Sequence, residues 1–326
     1  METAWYALLG LFFAAYLVLG GYDYGTGILL ARARTAEERR GMLTAVGPFF
    51  LGNEVWLVAT LGILFGAFPM LEGELLSGLY PAIAMALAGV LTVTVSVQLR
   101  SRPPGGRARH AWDRVIIASS VVAAFGWGAV LGGLLQGVPP ADQVGDVITP
   151  FTVATGLTLV ILVTVHGAAF LALRLPDRDF GRIGRRLIAV ALTALTAATV
   201  VGLLSPRVRD AVQQPALAVL GWGVLVAALL VARATLGRRP GWAFTATSLA
   251  LVAPVLLTGA AIWPYALVSS ADPAASLTVA DAAASAPTLR LLSWLAIPLV
   301  PALLGFQAMC WWAFRGRIDD RAPVYW

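Results

Sequence analysis

Three ionisable side chains stand inside long apolar runs. A charge there costs about 2.5–3.5 kcal/mol to insert, so each marks a functional candidate. Asp23 lies in Gly20-Gly21-Tyr22-Asp23-Tyr24-Gly25-Thr26-Gly27. Glycines at this density let a neighbouring helix or a cofactor approach closely. Two readings compete for the carboxyl: a helix-end group bonded to backbone or arginine, and a member of a proton path. Glu54 follows Asn53 in Pro48-Phe49-Phe50-Leu51-Gly52-Asn53-Glu54-Val55-Trp56-Leu57. Asn53, Trp56 and Thr60 share one face of a helix, and Glu54 points about 100° away from it. A carboxyl at such depth must be neutral, paired or hydrated. It either makes a structural hydrogen bond to a partner helix, or it relays protons in a site lined by Asn53 and Trp56.

His166, in Val165-His166-Gly167-Ala168, is the one histidine inside an apolar run. It is an axial haem ligand or a hydrogen-bonding group at a helix contact. Haem iron usually takes a second axial ligand or an open distal site. The other histidine, His110, stands in an arginine-rich connection, and none of Met1, Met42, Met70, Met85 and Met309 forms a pair with His166. The residues favour the helix contact.

The elements that position these groups follow from composition. Hydrophobic residues make up 59% of the chain and charged ones 12%, against about 25% charge in soluble domains. Mean hydropathy is +0.81. A bilayer span needs about 20 apolar residues, and runs of that scale occur at about 4–30, 43–70, 75–99, 114–136, 149–173, 187–204, 215–232, 242–263 and 289–314. None shows β-barrel alternation, so a chain that must satisfy its own backbone in lipid makes them helices. The expected fold is all-α and polytopic, with about nine transmembrane helices in a single membrane domain, 1–326. Four helices form an N-terminal bundle over 1–136 and four a second bundle over 149–263. An extracytoplasmic loop covers 264–288, and the last helix, 289–314, is peripheral.

All 23 basic residues are arginine. Twenty of them follow odd-numbered spans, and only Arg207, Arg209 and Arg290 fall in the other connections. The positive-inside rule then puts the N-terminus outside and the C-terminus in the cytoplasm. Entering from outside, Asp23 lies about 28 Å down, near the cytoplasmic side. Glu54, about ten residues into the second run, is expected near the bilayer centre. The two acids would then stand at successive depths of an inward proton path. The dispersed arginines do not make a nucleic-acid surface. Met-Glu-Thr-Ala-Trp offers no basic n-region, so no cleaved signal peptide is expected. Cys310 lacks an intrachain partner and reads as a buried, inert thiol. Trp5, Trp242, Trp263, Trp311 and Trp312 mark span ends, as interfacial anchors do, whereas Trp56 does not.

Several segments, taken together and in order, resemble subunit II of the cytochrome bd quinol oxidases. They are the Gly20–Gly27 stretch, Gly52-Asn53-Glu54-Val55-Trp56-Leu57 continuing to Gly66-Ala67-Phe68-Pro69, Ser77-Gly78-Leu79-Tyr80, and Trp263-Pro264-Tyr265 leading to Ser269-Ser270, Asp281 and Thr288. Two departures are Leu51 and Gly20, where that family often carries acids ahead of these motifs. Any proton route using those acids would fall to Asp23, Glu54 or water here.

The resemblance implies a subunit of a membrane quinol:O2 oxidoreductase of the respiratory chain, in the bacterial inner membrane. Haem b and haem d would sit on the partner, subunit I, with none ligated by this chain. A structural quinone is implied, Asp23 would serve a proton path or a quinone-adjacent site, and small single-helix accessory subunits are further implied partners. Support of assembly and of proton and oxygen access would be this chain's part. A secondary transporter or permease subunit is the alternative. No internal repeat is found, and nine spans suit an inverted pair poorly.

Overall fold

The computed structural model describes residues 1–100, 102, 106–176 and 178–316. In chain order the helices are α1 (Glu2–Leu29), α2 (Ala36–Val46), α3 (Phe50–Ala67), α4 (Pro69–Gly78), α5 (Tyr80–Leu99), α6 (Gly106–Gln136) and α7 (Pro150–Arg174). There follow α8 (Phe180–Leu204), α9 (Pro206–Ala211), α10 (Pro215–Thr235), α11 (Pro240–Ala261), α12 (Val279–Ala282) and α13 (Ala286–Ala313). Nine of them, α1, α3, α5, α6, α7, α8, α10, α11 and α13, are long and apolar enough to cross a membrane among the described residues. Most open on a proline in the first turn, where the missing N–H costs nothing.

Three boundaries differ from the hydropathy reading. The run 43–70 is not one helix: α2 ends at Val46 and α3 starts at Phe50, because Pro48 has no N–H to continue the helical ladder and its ring crowds the preceding turn. The run 75–99 is divided between α4 and α5 at Leu79. The sixth run, 187–204, is extended, since α8 reaches back to Phe180 and covers 25 residues. Its first two turns carry Arg182, Arg185 and Arg186, which hydropathy scores as a loop although a helix holds them at the membrane edge.

Helix α1 is central and packs against α3, α6, α7 and α11. Its glycines explain the tightest crossing. A Cβ on Gly25 would lie 1.9 Å from the Val163 carbonyl oxygen, and one on Gly167 would lie 2.4 Å from the Gly25 backbone. Only the absence of side chains at both positions allows α1 and α7 to touch backbone to backbone. Helix α7 is the most enclosed span, with 78% of its apolar window buried, whereas α13 has 6%. The latter lies along α3, with Phe306 against Gly52 and Leu292 against Gly66.

The long connection after α11 carries a short antiparallel pair, β1 (Tyr265–Leu267) and β2 (Leu277–Thr278). It is tied to the α6–α7 connection by Val138 N–H to Val268 O at 2.8 Å and Ser270 N–H to Val138 O at 3.0 Å. At the opposite, arginine-rich end, Arg100 Nε meets Asp113 Oδ1 at 2.5 Å and Arg39 Nε lies 3.5 Å from Asp113 Oδ2. Arg174 donates to the carbonyls of Phe314 and Gly316, joining α7 to the end of α13. Arg317 and Arg321, counted above among the basic residues of that end, lie outside the described residues.

Candidate functional site

The break at Gly47-Pro48 sets the depth of the site. Helix α3 is 18 residues long, about 27 Å, and Glu54 is only four residues past its start. Asp23 precedes the end of α1 by six residues. Both acids therefore occupy one layer near the arginine-rich end. The expected placement of Glu54 at the bilayer centre, and with it two acids at successive depths, is corrected by this geometry: counting from residue 43 had included a helix that stops before the span.

Asn53 organises that layer. Its Nδ2 donates toward Asp23 Oδ2 at 2.8 Å, Tyr22 Oη at 2.7 Å and Leu19 O at 3.2 Å. Trp56 Nε1 donates to Gln307 Oε1 at 3.2 Å, and Gln307 Nε2 donates to Asn53 Oδ1 at 3.4 Å. An indole N–H can only donate. The Trp56 bond therefore fixes which end of the Gln307 amide faces it, and Gln307 in turn fixes Asn53 with its NH2 toward Asp23. Two amide hydrogens face three acceptors, and Asp23 Oδ1 has no hydrogen-bond partner among the described residues. Asp23 is thus a buried carboxyl, 6% exposed, held by one oxygen and open at the other.

Glu54 stands apart from this chain of bonds. Its Oε1 accepts from the Thr94 hydroxyl of α5. Thr94 and Asp23 meet α3 on different flanks, in keeping with the offset of about 100° between Glu54 and Asn53. The structure thus joins Asp23, Asn53 and Trp56, and leaves Glu54 as a half-buried neighbour in the same layer.

His166 is engaged at both nitrogens, with Nδ1 2.8 Å from Thr247 Oγ1 and Nε2 3.1 Å from Val18 O. A carbonyl only accepts, so Nε2 carries the hydrogen. The ring stacks on Phe244 with centroids 4.7 Å apart. Its nitrogens bridge α7 to α11 and α1, and a haem iron would have to displace one of those bonds. Among the described residues no group of three or more His, Cys, Asp or Glu side chains is placed to hold a metal ion.

Sequence reading missed Gln307 and a second buried cluster. Gln307 is the only amide in the apolar stretch of α13, and that isolation was the available signal. In the second cluster, Trp127 Nε1 donates to Tyr16 Oη at 3.0 Å, and the Tyr16 and Tyr24 hydroxyls lie 2.5 Å apart. No spacing rule links residue 127 to residue 16. Toward the other end of the bundle, a cavity of about 640 Å3 opens between α1, α3, α6 and α11. Its wall is apolar, with Thr3 and Tyr6 among the few polar side chains.

The family model described as "Cytochrome bd terminal oxidase subunit II" matches residues 1–314. Among curated proteins, the chain is 29% identical to cytochrome bd-I ubiquinol oxidase subunit 2 of Escherichia coli K12, over 98% of this chain and 95% of the relative. It is 28% identical to cytochrome bd ubiquinol oxidase subunit 2 of Bacillus subtilis 168, over 99% and 98%. Among solved structures, a chain of the bd oxidase from Geobacillus thermodenitrificans shares the fold. The TM-score is 0.74 at 18% identity, covering 95% of this chain and 97% of that one. The transporter alternative finds no support in these likenesses.

Proposed function

The chain belongs to the cytochrome bd terminal oxidase subunit II family, and we propose that it serves, beside a haem-bearing subunit I, in a respiratory complex that oxidises quinol and reduces oxygen. Its own contribution is proton access through the polar layer of Asp23, Asn53, Gln307 and Trp56, with Glu54 alongside. The observation that carries this is Asp23: a buried carboxyl fixed by Asn53 at 2.8 Å, with its second oxygen unpartnered among the described residues. Such a group exchanges a proton without breaking the bond that positions it. The layer lies at the arginine-rich end, which the positive-inside rule assigns to the cytoplasm of a bacterial inner membrane.

Haem b and haem d belong to subunit I in this reading. His166, bonded at both nitrogens, fits a helix contact and not an axial ligand. A structural quinone fits the 640 Å3 cavity, whose apolar wall suits an isoprenoid chain and whose Tyr6 hydroxyl would meet a carbonyl. Quinone chemistry is supplied by that group when bound; Tyr6 and Thr3 would only orient it.

Purification of this chain with its co-expressed partners, followed by an absorption spectrum and quinol-driven oxygen consumption, tests the proposal. Haem should travel with the chain. Asp23→Asn, which keeps the shape and the Asn53 contact but cannot carry a carboxyl proton, should slow oxygen consumption at full haem content. Unaltered consumption in both Asp23→Asn and Glu54→Gln would sink the proton role. Absence of any haem partner would sink the oxidase assignment itself.

A further inference from the structure

The first turns of α8 carry a cluster that the oxidase reading does not use. Arg182, Arg185 and Arg186 occupy adjacent positions on one helix face. Arg233, from the last turn of α10, faces them across a groove of about 470 Å3 floored by Ala189. A second hollow, of about 450 Å3, shares Arg182 and Arg186 and adds Arg32, Arg34 and Arg178 above Phe180 and Met42.

Carboxylates do not balance this charge. Glu38 pairs with Arg178 at 2.9 Å, and Asp179 with Arg182 at 3.4 Å. Among the described residues Arg185, Arg186 and Arg233 have no carboxylate within ion-pairing distance. Arg233 donates instead to the Arg185 carbonyl at 2.9 Å, which fixes α10 against α8 with both guanidinium groups uncompensated. Immediately inward, Val190, Leu230 and Val231 are about half exposed, so an apolar strip runs from the groove along both helices.

We infer that this arginine bay binds the phosphate of an anionic phospholipid. Guanidinium groups match phosphate oxygens in planar, two-point fashion, and basic pockets between membrane helices recognise such headgroups. Free phosphate offers the same oxygens. The apolar strip selects the lipid, because only a lipid has acyl chains to cover it.

The test uses the purified, delipidated complex in detergent, with bound ligand counted by native mass spectrometry. The probes are dioctanoyl phosphatidylglycerol, dioctanoyl phosphatidylcholine and inorganic phosphate. Phosphatidylglycerol should bind saturably, and the Arg185→Gln/Arg186→Gln double variant should weaken it roughly thirtyfold. Arg185→Lys/Arg186→Lys should keep most of the affinity. Should the glutamine pair fail to assemble, Arg233→Gln alone should cost about fivefold. Unchanged phosphatidylglycerol binding in whichever glutamine variant assembles would overturn the site. Equal binding of phosphatidylcholine, or displacement by inorganic phosphate at matched concentration, would overturn the lipid assignment.

Discussion

At the scale of single residues, one donor-only group sets the polarity of the site. The Trp56 indole orients Gln307, Gln307 orients Asn53, and Asn53 is left with its NH2 toward Asp23. Replacing Asn53 by leucine removes both the donor and the acceptor at the centre. It strands the Asp23 oxygen and the Gln307 NH2 in a buried setting, at about 1–3 kcal/mol each. Asn53→Leu should therefore lower the thermal midpoint of the purified complex by several degrees, followed by loss of secondary structure on heating. Asp23→Asn should melt close to the unaltered chain. Were the two variants to melt alike, the network would not hold the layer together. The shared face of Asn53 and Trp56 was legible from spacing alone. Gln307 was not, because it lies 254 positions from Asn53 and comes to it only through the docking of α13 on α3.

At the scale of elements, breaks and close approaches decide where the site sits. Hydropathy found nine spans because apolar run length is a local property. It misplaced the start of α3, because the apolar last turn of α2, which ends at Val46, and the helix that begins at Phe50 read as a single run. The depth of Glu54 followed that error. The glycines at 20–27 were legible as a close-packing signal, but the partner, Gly167 of α7, was not. Gly25→Ala tests the crossing. Its methyl would have to occupy a point 1.9 Å from a backbone oxygen that no rotamer change can move. The helices must separate, so the variant should cut the yield of assembled complex severely, scored by size-exclusion chromatography. Gly62→Ala on α3, where a Cβ meets nothing within 4 Å, should assemble normally.

Helix α2 offers a pH-dependent counterpart outside the membrane. Thr35 and Glu38 form a reciprocal cap. Hydrogen bonds from the Arg34 and Thr35 backbone N–H groups, aided by Arg178, hold the Glu38 carboxyl below its usual pKa despite some desolvation. A carboxyl depressed in the folded state stabilises above its unfolded pKa, about 4.3, and that contribution is lost as pH falls through the lower folded value. Glu38 is solvated, so the effect is small. Melting curves of the complex between pH 7 and pH 3 should show Glu38→Gln starting lower and losing less on acidification than the unaltered chain. Parallel curves would mean that the cap contributes nothing.

At the scale of the molecule, α13 is the least explained element for a lone chain. It lies along α3 and meets α1, α7 and α11 only through a few side chains, among them Ser293 and Trp311, and 6% of its apolar window is buried. Its internal Pro298 and Pro301 remove the N–H groups that the Trp294 and Ile297 carbonyls would otherwise receive. A freed carbonyl facing lipid is costly, and a covering protein surface that donates to it relieves the cost. The outward face of α3, with Leu51, Val55 and Val58 exposed, continues the same surface. We propose this face for subunit I. An arginine placed there should block assembly beyond its cost of insertion, about 2.5–3.5 kcal/mol at a helix centre. Ile297→Arg should reduce the haem-bearing partner recovered in a pull-down by tenfold or more. Val224→Arg, at similar depth on α10, carries the same insertion cost away from the proposed face and should recover the partner in proportion to the chain inserted. Equal loss from both positions would place subunit I elsewhere and leave α13 to the lipid.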